Sequence, residues 1–275
     1  DNWKVIGNKW SIDGKVDQEF NFIGGSNVSE EEAYKRALLK RDKIKKKVDG
    51  LWDYRKDNDY TIEIREEIIA KIDDNNIITR NRYGALVLNS AEVMFVDIDT
   101  AQFSWRINVF APFIKIVQLF RKQKSPEEEI LSHIDNQLSK SKFHSLYARL
   151  YQTPAGFRLL ILGKKFNPRS DESKKIMRQF YADYTYASMC IKQNCYRARL
   201  TPKPWRIKVK RPKIVFPFRT PEQEKIHAEW VENYQTKSEQ FAACRFIKAY
   251  GKEMPSKVVQ YHDHFCKALT DMQLA

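Results

Sequence analysis

A chain of 275 residues, 42% hydrophobic and 31% charged, has an ordinary globular composition and is too apolar to stay disordered. It can bury one large core or two small ones, and it holds neither a signal-peptide core nor a window near the roughly eighteen apolar residues of a membrane span. The net charge of +14 makes a polyanion, nucleic acid above all, the expected partner.

Residues 1–25 carry short possible strands. Gly24-Gly25-Ser26 precedes a helix, whose N-terminus suits an anion, but the spacing of a phosphate loop is absent. Ser29 with Glu32 is a capping box that opens this helix, and Asp49-Gly50 closes it after Val48. Its basic run, Lys35 to Lys47, reads as a solvated face. The spacing of Ile64, Ile68, Ile69 and Ile72 predicts a second helix over 62–73, broken by Asp73-Asp74-Asn75-Asn76.

The period then changes to that of strands, over 77–79, 84–88 and 92–98. The last two read as a hairpin whose second strand, apolar on both faces, is central. Ser125-Pro126 opens a helix to about Lys140 with Ile130, Ile134 and Leu138 inward. A hairpin follows, residues 144–152 and 157–162 around Thr153-Pro154-Ala155-Gly156. Next come a helical stretch over 170–193, strands at 196–200, 205–209 and 213–218, a helix from Thr220-Pro221 to about Tyr250, and one from Ser256 to about Met272. The order predicts an α+β fold, a central antiparallel or mixed sheet with helices packed on it. Expected divisions are a mainly helical region 1–75, an α+β core 76–219 and C-terminal helices 220–275.

Three sets of residues carry chemistry. On the strand ending Val93 to Val96, Asp97 and Asp99 project to one face, and carboxylates that close call for a cation, Mg or Mn with phosphate. Arg158 begins the strand after the 153–156 turn, where a guanidinium can reach a phosphate. Between Tyr196 and Arg219 lie nine Lys/Arg residues and no acid. Within that run Arg197 and Arg199 share a strand face, the stiff turn Thr201-Pro202-Lys203-Pro204 projects Lys203, and Trp205 and Arg206 follow. Trp205 is either core or a platform for a base.

The other polar residues read more plainly. The four cysteines, 190, 195, 244 and 266, read as buried thiols of a reducing cytoplasm. No Cys–His arrangement is legible. His262-Asp263 reads as a surface or interface pair, and His144 stands where its hairpin could bring it to the acids. Haloacid-dehalogenase-type phosphatases fail on Ala101, where they carry Thr or Val, and on sheet type. Nucleotide-sugar glycosyltransferases fail on charge and sheet type.

The order and spacing of these motifs over about 84–210 resemble those of the archaeo-eukaryotic primase, or primase-polymerase, superfamily. Val96-Asp97-Ile98-Asp99 is similar to its first motif, and Thr153-Pro-Ala-Gly156-Phe-Arg158-Leu to its Thr-Pro-Ser-Gly-Gly-x-His-type hairpin. Arg158 or Leu159 stands where that superfamily places a nucleotide-binding His. No acid stands near Arg197 to Arg199 for its third motif, Asp183 being the nearest. Along its whole length the chain is also similar to bacterial proteins of no assigned function, for instance in Tyr83-Gly-Ala-Leu-Val-Leu-Asn89 and Arg197-Ala-Arg-Leu-Thr-Pro-Lys-Pro-Trp-Arg206.

The resemblance implies a metal-dependent protein acting on nucleotides or nucleic acid, primase-like nucleotidyl transfer being one form. Alternatives are a nucleic-acid-binding protein without turnover and a protein that docks a partner, or a second copy, through its C-terminal helices.

Overall fold

The computed structural model describes residues 2–10, 18–26, 28–51, 64–109 and 125–275. The chain divides into two compact units, residues 1–61 and 62–275.

In the first unit, strands β1 (Asn2–Trp10) and β2 (Gln18–Ser26) pair antiparallel, and helix α1 (Glu30–Val48) follows. Ser29 caps the helix by accepting from the Glu32 amide, but Glu32 turns to Ser26 and Arg36 instead of closing the box. Ala33 and Ala37 are fully buried, and a Cβ on Gly24 would meet the Ala33 carbonyl at 1.9 Å. Small residues on both sides let the helix backbone lie directly on the hairpin. Lys40 donates to the Ile23 carbonyl at 2.8 Å, and the other lysines of α1 are exposed, as expected of a solvated face.

The second unit is α+β. One four-stranded sheet has the order β11-β7-β8-β6, the other β3-β4-β5-β9. The ranges are β3 (Glu67–Asp73), β4 (Asn76–Arg80), β5 (Leu86–Ser90), β6 (Met94–Asp99), β7 (Tyr147–Thr153), β8 (Gly156–Leu162), β9 (Tyr196–Arg199) and β11 (Arg245–Tyr250). Every ladder in these two sheets is antiparallel, while the short β10 (Phe241–Ala242) and β12 (Gln273–Leu274) pair parallel. The helices are α2 (Thr100–Val109), α3 (Pro126–Leu138), α4 (Asp171–Gln179), α5 (Tyr184–Gln193), α6 (Pro221–Ser238) and α7 (Lys257–Cys266). Residues of both sheets and of α3, α4 and α7 share one apolar core that includes Ile78, Phe95, Ile134, Leu159, Met177 and Cys266.

Several elements differ from expectation, each for a local reason. Residues 67–73 form an edge strand, not a helix, since three β-branched isoleucines precede an Asp73 turn whose carboxylate accepts from the Asn75 amide at 2.9 Å. The first unit therefore ends near 61 instead of 75; residues 62 and 63 lie outside the described set. Strands β5 and β6 are not a hairpin but enter different sheets, and β6 is an edge strand by pairing despite its buried faces. The inner strands are β7 and β8, and β8 is buried along its whole length.

The 170–193 stretch is two helices, parted at Tyr181 in the left-handed region (φ 53°) and recapped by Asp183. Residues 204–207 form a 3-10 turn and 213–218 no strand; Pro204, Pro212 and Pro217 remove ladder donors. Helix α6 ends at Ser238, and the next segment returns as β11 against β7. Helix α7 stops at Cys266, where Lys267 turns left-handed. The C-terminal segment is thus woven into the sheet and is not a helical pair laid on it.

Gly156 sits at φ 153°, where a Cβ would lie 2.1 Å from the Ile98 carbonyl across the β6–β8 ladder. Gly156→Ala is expected to lower unfolding free energy by about 2–4 kcal/mol in urea titration; a loss below about 0.5 kcal/mol would contradict this packing.

Candidate phosphate and metal site

Strand alternation aims Asp97 and Asp99 from one face of β6, while Met94, Val96 and Ile98 are buried. Asp99 also caps α2: its Oδ1 accepts from the Gln102 amide at 2.9 Å. Across the ladder Asp97 stands opposite Arg158 and Asp99 opposite Gly156. Arg158 is 1% exposed, the largest fully buried side chain among the described residues. Its Nε donates to Asp97 Oδ1 at 2.9 Å, and its Nη1 donates to the Arg199 carbonyl at 2.9 Å and lies 3.3 Å from His262 Nε2. Burial alone would loosen its proton; Asp97, with Cys244 and Cys266 beside it, more than offsets that and holds it. Arg158 is therefore not a surface phosphate ligand, as its place at a strand start suggested, but an internal tie between the two sheets.

That tie brings β9 to the end of β6. Arg199 is partly buried, and its Nε is enclosed without a hydrogen-bond partner. Burial, with Arg158 and Arg206 beside it, lowers Arg199 to about 10, and only Asp97 and Tyr234 oppose that. Lys203 is lowered by burial and by Arg199 and Arg206, with Asp97 and Asp99 opposing. Arg206 is lowered by burial, and its Nη1 is likewise enclosed and unpartnered. Arg199 thus feels Asp97, and Lys203 feels both carboxylates, while Arg206 adds its charge beside Arg199 and Lys203; Arg158 already pairs with Asp97. The seam carries more positive charge than it can balance, and an anion would relieve it.

The loop that supplies Lys203 is fixed from behind. The Thr201 hydroxyl accepts from the Leu86 amide at 2.9 Å, and the Tyr234 hydroxyl donates to the Pro202 carbonyl at 2.6 Å. Trp205 is 41% exposed, a surface ring and not core; Arg211 lies over it at 4.4 Å, Lys203 at 5.5 Å, and Tyr83 meets it edge-on at 5.2 Å.

Other expected members are placed elsewhere. Arg197 shares a strand face with Arg199, yet its guanidinium is committed to Glu66 and, at 3.2 Å, to Gln193. Asp183 donates its amide to the Asp97 carbonyl at 2.8 Å, but its carboxylate caps α5 and takes the Gln102 amide group. Among the described residues Asp97, Asp99 and Asp183 do not converge as a set of three ligands. His144 bonds the Ser139 carbonyl at 2.9 Å, away from the acids. A cavity of about 1020 Å³ is lined by Arg149, Thr201, Tyr234 and Asp263 but by none of Asp97, Asp99, Arg199, Lys203 or Arg206.

Sequence reasoning missed a buried polar group behind Arg158. His262 is 0% exposed, and its Nδ1 lies 3.0 Å from Asp263 Oδ1. Asp263 also binds Arg149 Nη2 and the Tyr151 hydroxyl, each at 2.7 Å. Burial pushes the Asp263 carboxyl up, but His262, Tyr151 and Arg149 prevail and hold it below the usual range. The pair is interior, not surface. Cys244, His262 and Cys266 gather within 4.8 Å of one another. The signal available was His262 and Cys266 four apart on one helix face. Cys190 and Cys195 are buried thiols, as expected, and burial raises them to about 12 and about 11.

No protein-family model matches the chain, and neither a curated protein nor a solved structure matches it significantly.

The two acids should separate in stability measurements. Asp97→Asn strips the counter-charge from a buried guanidinium and is expected to cost about 2 kcal/mol, less than a fully buried pair because Asp97 is 35% exposed. Asp99→Asn keeps a cap oxygen and should cost under about 0.5 kcal/mol. Equal losses in urea unfolding at neutral pH would contradict the assignment of Arg158 to Asp97.

Proposed function

We propose that the seam between β6, β8 and β9 binds the phosphates of a nucleotide or nucleic acid together with a divalent cation, and that primase-like nucleotidyl transfer is its activity. The observation that carries this reading is the unbalanced charge: Arg199, Lys203 and Arg206 act on one another, and of the two acids only Asp97 reaches Arg199, both reach Lys203 and neither acts on Arg206. Two enclosed guanidinium nitrogens without partners, Arg199 Nε and Arg206 Nη1, are donors of the kind a phosphate accepts from. The exposed Trp205 and Tyr83, with Arg211 between them, offer a surface on which a base can stack.

The carboxylates suit Mg or Mn. Both are hard oxygen donors, and among the described residues only one oxygen of each is engaged, Asp97 Oδ1 by Arg158 and Asp99 Oδ1 by the cap. A bound Mg or Mn would supply charge neutralisation at the reacting phosphate. The chain itself positions the partners. Arg199 and Lys203 take up the charge of the non-reacting phosphates, Asp97 and Asp99 hold the cation side, and Arg158 fixes Asp97 so that little reorganisation follows binding.

A second reading, nucleic-acid binding without turnover, is favoured by one specific observation. Among the described residues no third acid joins Asp97 and Asp99, and both Arg158 and Leu159, one of which stands where the resembled superfamily places a nucleotide-binding His, are buried.

Metal-dependent nucleotide incorporation separates the two readings. Under the first, Asp99→Asn lowers it by at least about a hundredfold with the fold intact, a loss of the size set by removing a charge-stabilising group. Activity that survives in Asp99→Asn and Asp97→Asn contradicts the catalytic reading. Under either reading, binding to single-stranded nucleic acid weakens with salt, and Lys203→Gln and Arg206→Gln each lower the log–log slope by about one. Salt-independent binding contradicts both.

A further inference from the structure

We propose that Cys244, His262 and Cys266 form a second metal site, for a thiophilic divalent cation of which zinc is the leading case, buried behind Arg158 and distinct from the carboxylates of β6. The reasoning starts from placement. Cys244 lies in the short link between β10 and β11, and the Ala243 amide donates to the Cys266 carbonyl at 3.0 Å. The Phe246 amide donates to the Ala268 carbonyl at 2.8 Å. These two bonds clamp the link to the end of α7, where His262 and Cys266 share the buried face.

The donor atoms are already gathered. The three lie within 4.8 Å of one another, and Cys244 Sγ is 3.9 Å from His262 Nε2. Tetrahedral zinc, with bonds of about 2.3 Å to sulfur and about 2.0 Å to nitrogen, sets its ligands about 3.5–3.8 Å apart. Side-chain adjustment of less than about 1 Å closes the set. Each of the three residues is fully buried, and three protein donors leave the fourth tetrahedral position to a single water or an added ligand.

The imidazole is oriented as a ligand. A carboxylate only accepts, so the contact to Asp263 Oδ1 at 3.0 Å assigns the proton to Nδ1 and leaves Nε2 as a lone pair facing the thiols. Asp263 is itself held by Arg149 and Tyr151. A carboxylate behind a histidine, fixing its tautomer, is the outer shell that histidine metal ligands ordinarily have.

Charge also permits the metal. Binding releases two thiol protons to solvent, and two thiolates with one divalent cation sum to zero beside the Arg158 guanidinium. Arg158 Nη1 gives up its 3.3 Å approach to His262 and keeps the Arg199 carbonyl, which itself lies 3.6 Å from Cys266 Sγ. The metal would thereby fix the α7 side of Arg158 and, through it, the Arg199 backbone. Soft donors of this kind disfavour Mg and Mn, so this site does not duplicate the carboxylate one.

The test uses the full chain, purified reduced and without chelator, with zinc measured by elemental analysis and cobalt(II) titrated as a spectroscopic probe. One zinc per chain and a cobalt spectrum with thiolate charge-transfer bands and tetrahedral d–d bands are expected. Cys266→Ser should remove the thiolate intensity, Asp263→Asn should weaken binding by about 10- to 100-fold, and Cys190→Ser should leave both unchanged. Asp99→Asn should keep the metal, which separates this site from the proposed catalytic one. Wild-type chain that is folded by circular dichroism yet takes up neither zinc nor cobalt overturns the proposal, and so does a cobalt spectrum without thiolate bands. Neither outcome depends on a variant folding.

Discussion

A guanidinium sealed inside a protein is costly unless nearly every donor finds an acceptor, and Arg158 is sealed at 1% exposure on an inner strand of its sheet. Its partners come from three directions: Asp97 on the neighbouring strand, the Arg199 carbonyl on the edge of the other sheet, and His262 on α7. The price of burying it is met by elements far apart in the chain, so they can only come together in one arrangement. The apolar core of the second unit would tolerate small shifts between the sheets; this set of hydrogen bonds would not. The register of β6 on β8 then follows, with Gly156 allowing the Ile98 carbonyl its close approach.

Everything distinctive about the seam descends from that tie. Asp97, already paired with Arg158, offsets Arg199 and Lys203 only in part, and these two with Arg206 are left repelling one another. Burial sharpens the repulsion, since a partly enclosed charge is screened less than one in open water. The loop from 201 to 206 cannot relax away from it, pinned as it is by Leu86, by Tyr234 and by its two prolines. The charge imbalance is thus a fixed property of the fold, and fixed charge of one sign is what prepares a surface for a phosphate.

Much of this could be read from the sequence, and the reasons differ by element. The acid pair was legible because strand alternation is strict: an apolar run ending in Asp-Ile-Asp places both carboxylates on one face whatever the sheet does around it. The β7–β8 hairpin and the helix caps at Ser125, Thr220 and Ser256 were legible because each is set by three or four neighbouring residues. The strand at 67–73 was not, because isoleucines at i, i+4, i+5 and i+8 satisfy a helical stripe while their branching favours a strand, and only pairing with β4 decides. Nor was the return of 245–250 as β11, whose partner β7 lies about a hundred residues upstream. Arg158 and Arg197 were expected at the surface because arginine usually is; their counter-charges, Asp97 and Glu66, lie 61 and 131 positions away. The Cys244–His262–Cys266 group was hidden likewise, since a turn and one helix face meet only in three dimensions.

The central claim is that the unbalanced seam receives phosphate and a divalent cation together. A crystal structure of the full chain with manganese and a non-hydrolysable nucleoside triphosphate, with anomalous data at the manganese edge, tests it most directly. The account predicts an anomalous peak bridging Asp97 and Asp99 and a triphosphate on Arg199, Lys203 and Arg206, with Arg158 unmoved. Manganese elsewhere, or a triphosphate seated in the cavity between Arg149 and Tyr234 with the seam unchanged, would contradict it.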